Sequence, residues 1–188
     1  ALLGWNYYGD KAAAIEFTAK ERDGTAYARE LLPLVTLAQK QRELAAAAQL
    51  KGGDTSGLQA ADSAYEAQLR KVEEVDARVG AKLETTPILA KLKKLTPSVA
   101  AGDWSKTYEA YGQRVETTLA LLTQAADGSN LTLDPDLDSY YLMDGVTSTL
   151  PGLIESTSQM FDLARAVSRG LPESDRVLRE ISRTEALS

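Results

Sequence analysis

Apolar residues recur every three or four positions through nearly the whole chain, the spacing of helices packed along one face. From about Asn6 to Leu50 almost nothing breaks that pattern. Phe17, Gly24, Ala28, Leu31, Val35, Ala38 and Ala45 fall close to a 3.5-residue repeat. Pro33 is the one interruption. It lacks a backbone donor and crowds the turn before it, so a kink or a split is expected there. Lys51 to Gly57, rich in glycine, reads as a loop.

A second helix is expected from about Leu58 to Leu83, with its seam at Leu58, Ala61, Tyr65, Leu69, Val72, Val75, Val79 and Leu83. Thr86-Pro87 reads as an N-cap followed by proline at the first helical position and opens a short helix over Ile88–Leu95. Thr96-Pro97 repeats that signal, and Gly102-Asp103 starts another long helix. Trp104, Tyr108, Tyr111, Val115, Leu119 and Leu122 form its apolar stripe. A fourth long helix is expected to start at Asp134-Pro135-Asp136, where Asp134 can cap and Asp136 and Asp138 suit the positive helix end. Its stripe runs through Tyr140, Met143, Val146, Leu150, Leu153, Met160, Ala164 and Val167, with a bend at Pro151-Gly152. Gly170-Leu171-Pro172 closes it, and Glu173–Leu187 begins one more helix. No stretch alternates with period two for long enough to be a strand. The expected fold is all-α. Its long antiparallel helices are of the four-helix-bundle type, in one bundle or two stacked helical modules across residues 1–188. Helices near 40 residues would be roughly 60 Å long, the proportions of a rod.

Composition narrows the chemistry. The chain has 21 basic and 27 acidic residues, a net charge of −6, and no basic run. That argues against nucleic acid and anionic membrane surfaces as partners. Cysteine and histidine are both absent. Zinc sites with Cys or His ligands, Ser–His–Asp and Cys–His catalysis and disulfide stapling are thereby excluded. Without histidine the commonest acid–base group near neutral pH is missing, so no enzymatic activity and no cofactor are expected. A di-iron bundle would need Glu-x-x-His pairs. No run reaches the roughly 18–20 apolar residues of a membrane span. Trp5, Tyr7 and Tyr8 fit either an interfacial aromatic belt or an ordinary helix start.

The segment Asn130 to Asp144, reading NLTLDPDLDSYYLMD and followed by Leu150-Pro151, resembles a stretch in the periplasmic helical domains of bacterial methyl-accepting chemotaxis proteins. The same stretch occurs in some membrane histidine kinases. Ile15–Leu44 is similar to the first periplasmic helix of those receptors. The resemblance implies an extracytoplasmic, periplasmic sensor domain of an inner-membrane receptor. Flanking membrane helices would anchor it, and it usually works as a homodimer. Ligand binding would displace a long helix by a small amount and pass the signal inward. It also implies a return to the membrane through a further long helix, of which Glu173–Leu187 would be the start.

Two groups of residues are candidates for binding. Asn130, Tyr140, Tyr141 and Asp144 can line a pocket between helices near the end of the bundle. Alternatively Asp134, Asp136 and Asp138 are helix-start acids and Tyr140 to Met143 are core. The three aspartates match the first positions of an EF-hand loop, but no glycine stands at 139 and no glutamate at 145, so no metal site is expected. Arg42 falls on the first seam between Ala38 and Ala45. If it faces inward it requires an anionic partner, and the guanidinium fork suits a small carboxylate or nitrate. If the seam instead runs through Leu34, Leu37, Gln41 and Leu44, Arg42 lies at the edge. Arg29, Arg78 and Arg114 read as solvated, and Trp104, Tyr108 and Tyr111 as core. Gly24, Gly80 and Gly145 read as points of close helix approach. The expected function is a chemoreceptor sensor domain for a small anionic metabolite. The alternatives are a kinase sensor domain or a module that binds a periplasmic solute-binding protein.

Overall fold

The computed structural model describes residues 2–50, 53, 55–131, 143–169 and 171. Every regular element among them is helical, which gives the expected all-α bundle. Helix α1, Leu2–Ala48, is 47 residues long, about 70 Å at 1.5 Å per residue. It continues through Pro33, so the expected split does not occur. Pro33 is on the exposed side, while Leu31, Leu34 and Val35 around it are buried. Packing on both sides of the missing hydrogen bond keeps the helix whole.

Helix α2, Leu58–Leu83, matches its expected span. Glu84 ends it in the left-handed conformation, φ 59°, and its N–H donates to the Gly80 carbonyl. Helix α3, Thr86–Lys94, starts one residue earlier than the Thr86 cap predicts. The reason is Asp76. Its buried carboxylate accepts from the hydroxyls of Tyr27 at 2.7 Å, Thr85 at 2.7 Å and Thr86 at 2.9 Å. The two threonines are thus occupied across the corner and do not cap α3 with their side chains. Burial, more than this hydrogen bonding, raises the Tyr27 hydroxyl well above its ordinary pKa.

Thr96-Pro97 does not open a helix; residues 95–100 are irregular. Helix α4, Trp104–Gly128, follows, capped by Asp103, which accepts from the Lys106 backbone N–H at 2.9 Å. A left-handed Asn130, φ 63°, closes α4, and the Leu131 N–H returns to the Ala126 carbonyl at 3.1 Å. This is the Schellman ending. Gly24 of α1 lies against Ser129 at this point, with no room for a side chain. Gly80 is crowded by Asp76 of its own helix, and nothing lies near Gly145, so neither is the helix–helix approach expected of it.

A π-helical turn, Gly145–Thr149, leads into helix α5, Leu150–Ser168. The Leu150 N–H bonds to the Gly145 carbonyl, five residues back. Pro151 has no N–H to offer the preceding turn, and the widened turn lies immediately before it.

Contacts fix the directions. Gln41 meets Asp62, and Asp23 meets Lys82, so α1 and α2 are antiparallel. Gln41 meets Arg114 while Gly24 meets Ser129, so α1 and α4 are antiparallel as well. The return from α2 to α4 is made by α3 and the irregular 95–103 segment, not by a long helix. Gly102 ends it beside Gln49, at the loop end of α1. These four elements enclose the main core, with Tyr27, Leu31, Leu34, Tyr65, Val72 and Leu122 among its buried side chains. Helix α5 lies outside this group, parallel to the second half of α1. A smaller cluster of Ala46, Leu50, Trp104, Leu163 and Ala166 joins its end to α1 and α4.

Helix α5 reverses the expected pattern. Leu150, Leu153, Met160, Ala164 and Val167, expected as its buried seam, are exposed. Its buried residues are Pro151, Glu155, Asp162, Leu163 and Ala166. The bundle-facing side therefore carries the charges.

Candidate functional site

The buried charges meet on one turn of α1, where neighbouring residues point in different directions. Gln39 and Arg42, three apart, share the face toward α5. Gln41 points to α2 and α4. Lys40 and Glu43 remain at the surface, paired at 2.8 Å.

Arg42 is 1% exposed, the largest fully buried side chain among the described residues. It faces inward, as one of the two seam phasings allowed, and Gln41 of the other phasing is buried beside it. Its partner, however, is the protein itself. Nη1 and Nη2 bind the two oxygens of Glu155, the second at 3.3 Å. Nε donates to Asp162 at 3.2 Å, and Nη2 also donates to the Ser158 hydroxyl at 3.1 Å. The guanidinium lies 5.1 Å from the Tyr108 ring, which stacks on Trp104 at 4.7 Å. Burial opposes the charge on Arg42. Tyr108, Glu155 and Asp162 more than offset that, and its pKa is raised.

Glu155 sits in a complete carboxylate receptor. Besides Arg42, it accepts from Gln39 Nε2 at 2.9 Å and from Gln159 Nε2 at 2.7 Å. Two of the donor side chains come from α1 and one from α5 itself. Two carboxylates thus share one guanidinium, and the cluster is one negative charge in excess when both are ionised. Asp162 carries the consequence. Burial pushes its carboxyl up to about 6, and repulsion from Glu43 and Glu155 adds to that against the pull of Arg42.

Ser158 and Asp162 also line an open groove of about 710 Å³ along α5, together with Glu43, Phe161, Arg165 and Arg169. Arg165 spans to Glu43 at 3.0 Å across α1 and α5. The groove connects solvent to the side of the Arg42 cluster.

A second buried arginine lies on the other side of α1. Arg114 of α4 was expected in solvent and is 8% exposed. It donates to the Gln41 side-chain oxygen and to the Leu95 carbonyl, both at 2.9 Å, and lies 4.5 Å over the Tyr65 ring. Gln41 Nε2 in turn reaches Asp62 at 2.6 Å. Burial pushes the Tyr65 hydroxyl up to about 12, against the pull of Arg114. The reason Arg114 goes inside is the irregular 95–103 segment, whose Leu95 carbonyl no helix partner satisfies. Arg29 and Arg78 are exposed, as expected. Trp104 and Tyr111 are buried, as expected, with Tyr108 partly buried between Trp104 and Arg42.

Of the remaining candidates, Asn130 and Asp144 are not brought to Arg42. Asn130 serves the left-handed ending of α4, beside Gly24. That level is 18 residues from Arg42 along α1, about 27 Å. Asp144 accepts from the Thr149 hydroxyl at 3.1 Å, across the π turn. Tyr140 and Tyr141, with the aspartates at 134, 136 and 138, lie outside the described residues. Among the described residues no group of acids is placed to hold a metal ion, and no helix is long and apolar enough to cross a membrane.

Gln39, Glu155, Ser158, Gln159 and Asp162 were not singled out in the sequence. One signal was there to be read. Between Gly145 and Ala164 the only charged residues are Glu155 and Asp162, and they stand seven apart, on one helix face.

Compared with protein-family models, curated proteins and solved structures, the chain matches none of them.

Proposed function

We propose that this chain is the extracytoplasmic sensor domain of a membrane receptor of the chemoreceptor type, and that a small carboxylate metabolite is its signal. In this reading the ligand competes with Glu155 for the Arg42 fork and loosens α5 from α1. The observation that carries it is the seating of Glu155: four donor atoms from Arg42, Gln39 and Gln159 hold a carboxylate between two helices. A planar anion of the same chemistry fits the same donors. Arg42 therefore has no anion-sized vacancy, and the free-fork reading of the sequence gives way to exchange. The groove at Ser158 and Asp162 is the route of entry.

Ligand exchange of this kind shifts α5 only by the difference in affinity for its two positions. Displacing Glu155 contributes to that difference, because this layer ties the helix to α1 beside the smaller apolar cluster and the Arg165–Glu43 pair. The resemblance of residues 130–144 to chemoreceptor sensor domains supports the same assignment.

Calorimetric titration with mono- and dicarboxylates, amino acids and nitrate tests the proposal. Saturable binding of a carboxylate is expected, tightened by Glu155→Gln and weakened by Arg42→Lys. A folded chain that binds none of them, with no gain in Glu155→Gln, would rule the reading out.

A further inference from the structure

Helix α5 lies outside the main core and is joined to α1 by the smaller apolar cluster, the Arg165–Glu43 pair and the Arg42 layer. In that layer the charges do not balance. Glu155 and Asp162 of α5 both reach Arg42 of α1, so when both are ionised one negative charge is left over inside the protein. A buried excess charge is costly, and the surroundings do not remove it. Glu43 of α1 adds a further negative charge beside Asp162, and Tyr108 of α4 offers Arg42 a ring and no charge. Arg165 is taken up by Glu43 at 3.0 Å, and Arg169 stands one turn beyond it at the end of α5.

Of the two carboxylates, Asp162 is the one placed to take a proton. Glu155 is held by donors from Arg42, Gln39 and Gln159, which favour its charged form. The described residues give Asp162 a donor from Arg42 Nε alone, at 3.2 Å. Asp162 also lines the open groove, so a proton reaches it while α5 is still attached. Burial raises its carboxyl, against the pull of Arg42, to about 6.

We infer that the Arg42 layer is a proton-operated latch: a proton on Asp162 neutralises the layer and fastens α5 to α1, and loss of that proton lets α5 come off while the main core stays folded. The direction follows from linkage. With α5 detached, Asp162 meets water and gives up its proton as an ordinary carboxyl does. With α5 attached, it keeps the proton to a higher pH. Between those two values the attached form binds more protons, so raising the pH through the window favours detachment. Mildly acidic surroundings hold α5 down, and neutral ones make its release easier. The latch goes beyond the sensor reading, needs no ligand, and stands whether or not a carboxylate displaces Glu155.

Hydrogen exchange on the ligand-free chain, read by mass spectrometry and corrected for the intrinsic effect of pH, tests it. The α5 amides are expected to exchange through an opening that leaves α2 and α4 protected. That opening should be about ten-fold rarer at about pH 5 than at about pH 7.5. Asp162→Asn removes the titrating group and should make the α5 opening independent of pH. Glu43→Gln removes a repelling charge, so Asp162 gives up its proton more readily and the response should move to lower pH. Exchange of α5 only together with α2 and α4 overturns the proposal, because no separate release then exists. So does an α5 opening that pH does not change, or a response that Asp162→Asn leaves in place. Should Asp162→Asn fail to fold, a response that Glu43→Gln does not move overturns it as well.

Discussion

Arg42 and Arg114 are both buried, both lie over a tyrosine ring, and both reach the same turn of α1, yet they solve the problem of a buried cation in opposite ways. Among the described residues Arg114 has no carboxylate in direct contact. Its charge is met by the Gln41 amide oxygen, the Leu95 carbonyl and the face of Tyr65, with Asp62 one step away through Gln41. Such neutral partners spread the charge over dipoles that are themselves fixed by packing. They tie the irregular return segment to the bundle. Arg42 meets two full charges, and both belong to a helix outside the main core. A neutral clamp of the first kind holds one arrangement. An ionic clamp of the second kind holds its helix through charges that a proton can remove.

The largest effect is expected from breaking the ionic clamp. Arg42→Met leaves two buried carboxylates without their cation and should cost about 3–5 kcal/mol, read by urea unfolding. Replacing the whole set, Arg42→Met with Glu155→Leu and Asp162→Leu, should recover most of that loss, because no charge is then stranded. If the single substitution is harmless, α5 is not held by this layer.

A proton should act on the same side of the comparison and not on the other. Asp162 titrates near 3.8 when unfolded and about 6 in the fold. Between those values the folded chain binds more protons than the unfolded one, so stability falls as the pH rises through the window. The contribution is full below the unfolded value, lost above about 6, and at most about 3 kcal/mol. Asp162→Asn should flatten this slope in unfolding measured from about pH 4 to 7, and a slope unchanged by the substitution would place the proton elsewhere.

Arg114→Met should be milder. It strands the Leu95 carbonyl and the Gln41 oxygen and removes a charge at the same time, for a loss of about 1–3 kcal/mol. Replacing the whole set has no counterpart here, since a backbone carbonyl cannot be substituted away. A loss larger than that of Arg42→Met would reverse the comparison.

Much of the fold could be read along the chain because its causes are local. The span of α2, the Asp103 cap and the stop near Gly128 follow from periodicity, capping chemistry and glycine placement, all within a few residues. Thr96-Pro97 misleads for the complementary reason. Its local signal is sound, but the 95–103 segment must complete the return that α3 begins, and an extended chain covers more distance per residue than a helix. The site was half legible. Arg42 stood out because a cation on a seam requires a partner. Its partners did not, since Glu155 and Asp162 are more than 110 residues away, and charges on an apolar helix read as its outer face.

By itself, then, the sequence determined the all-α class, the helix boundaries set by caps and breakers, and the absence of histidine and cysteine chemistry, because each depends on residue identity and short-range spacing. Only the tertiary structure decided which side of α5 faces the bundle and which carboxylate fills the Arg42 fork. Periodicity gives a helix two faces and cannot tell them apart when one is apolar and the other carries charges that a buried arginine can neutralise. That choice is made by what lies opposite, and what lies opposite Glu155 and Asp162 is Arg42.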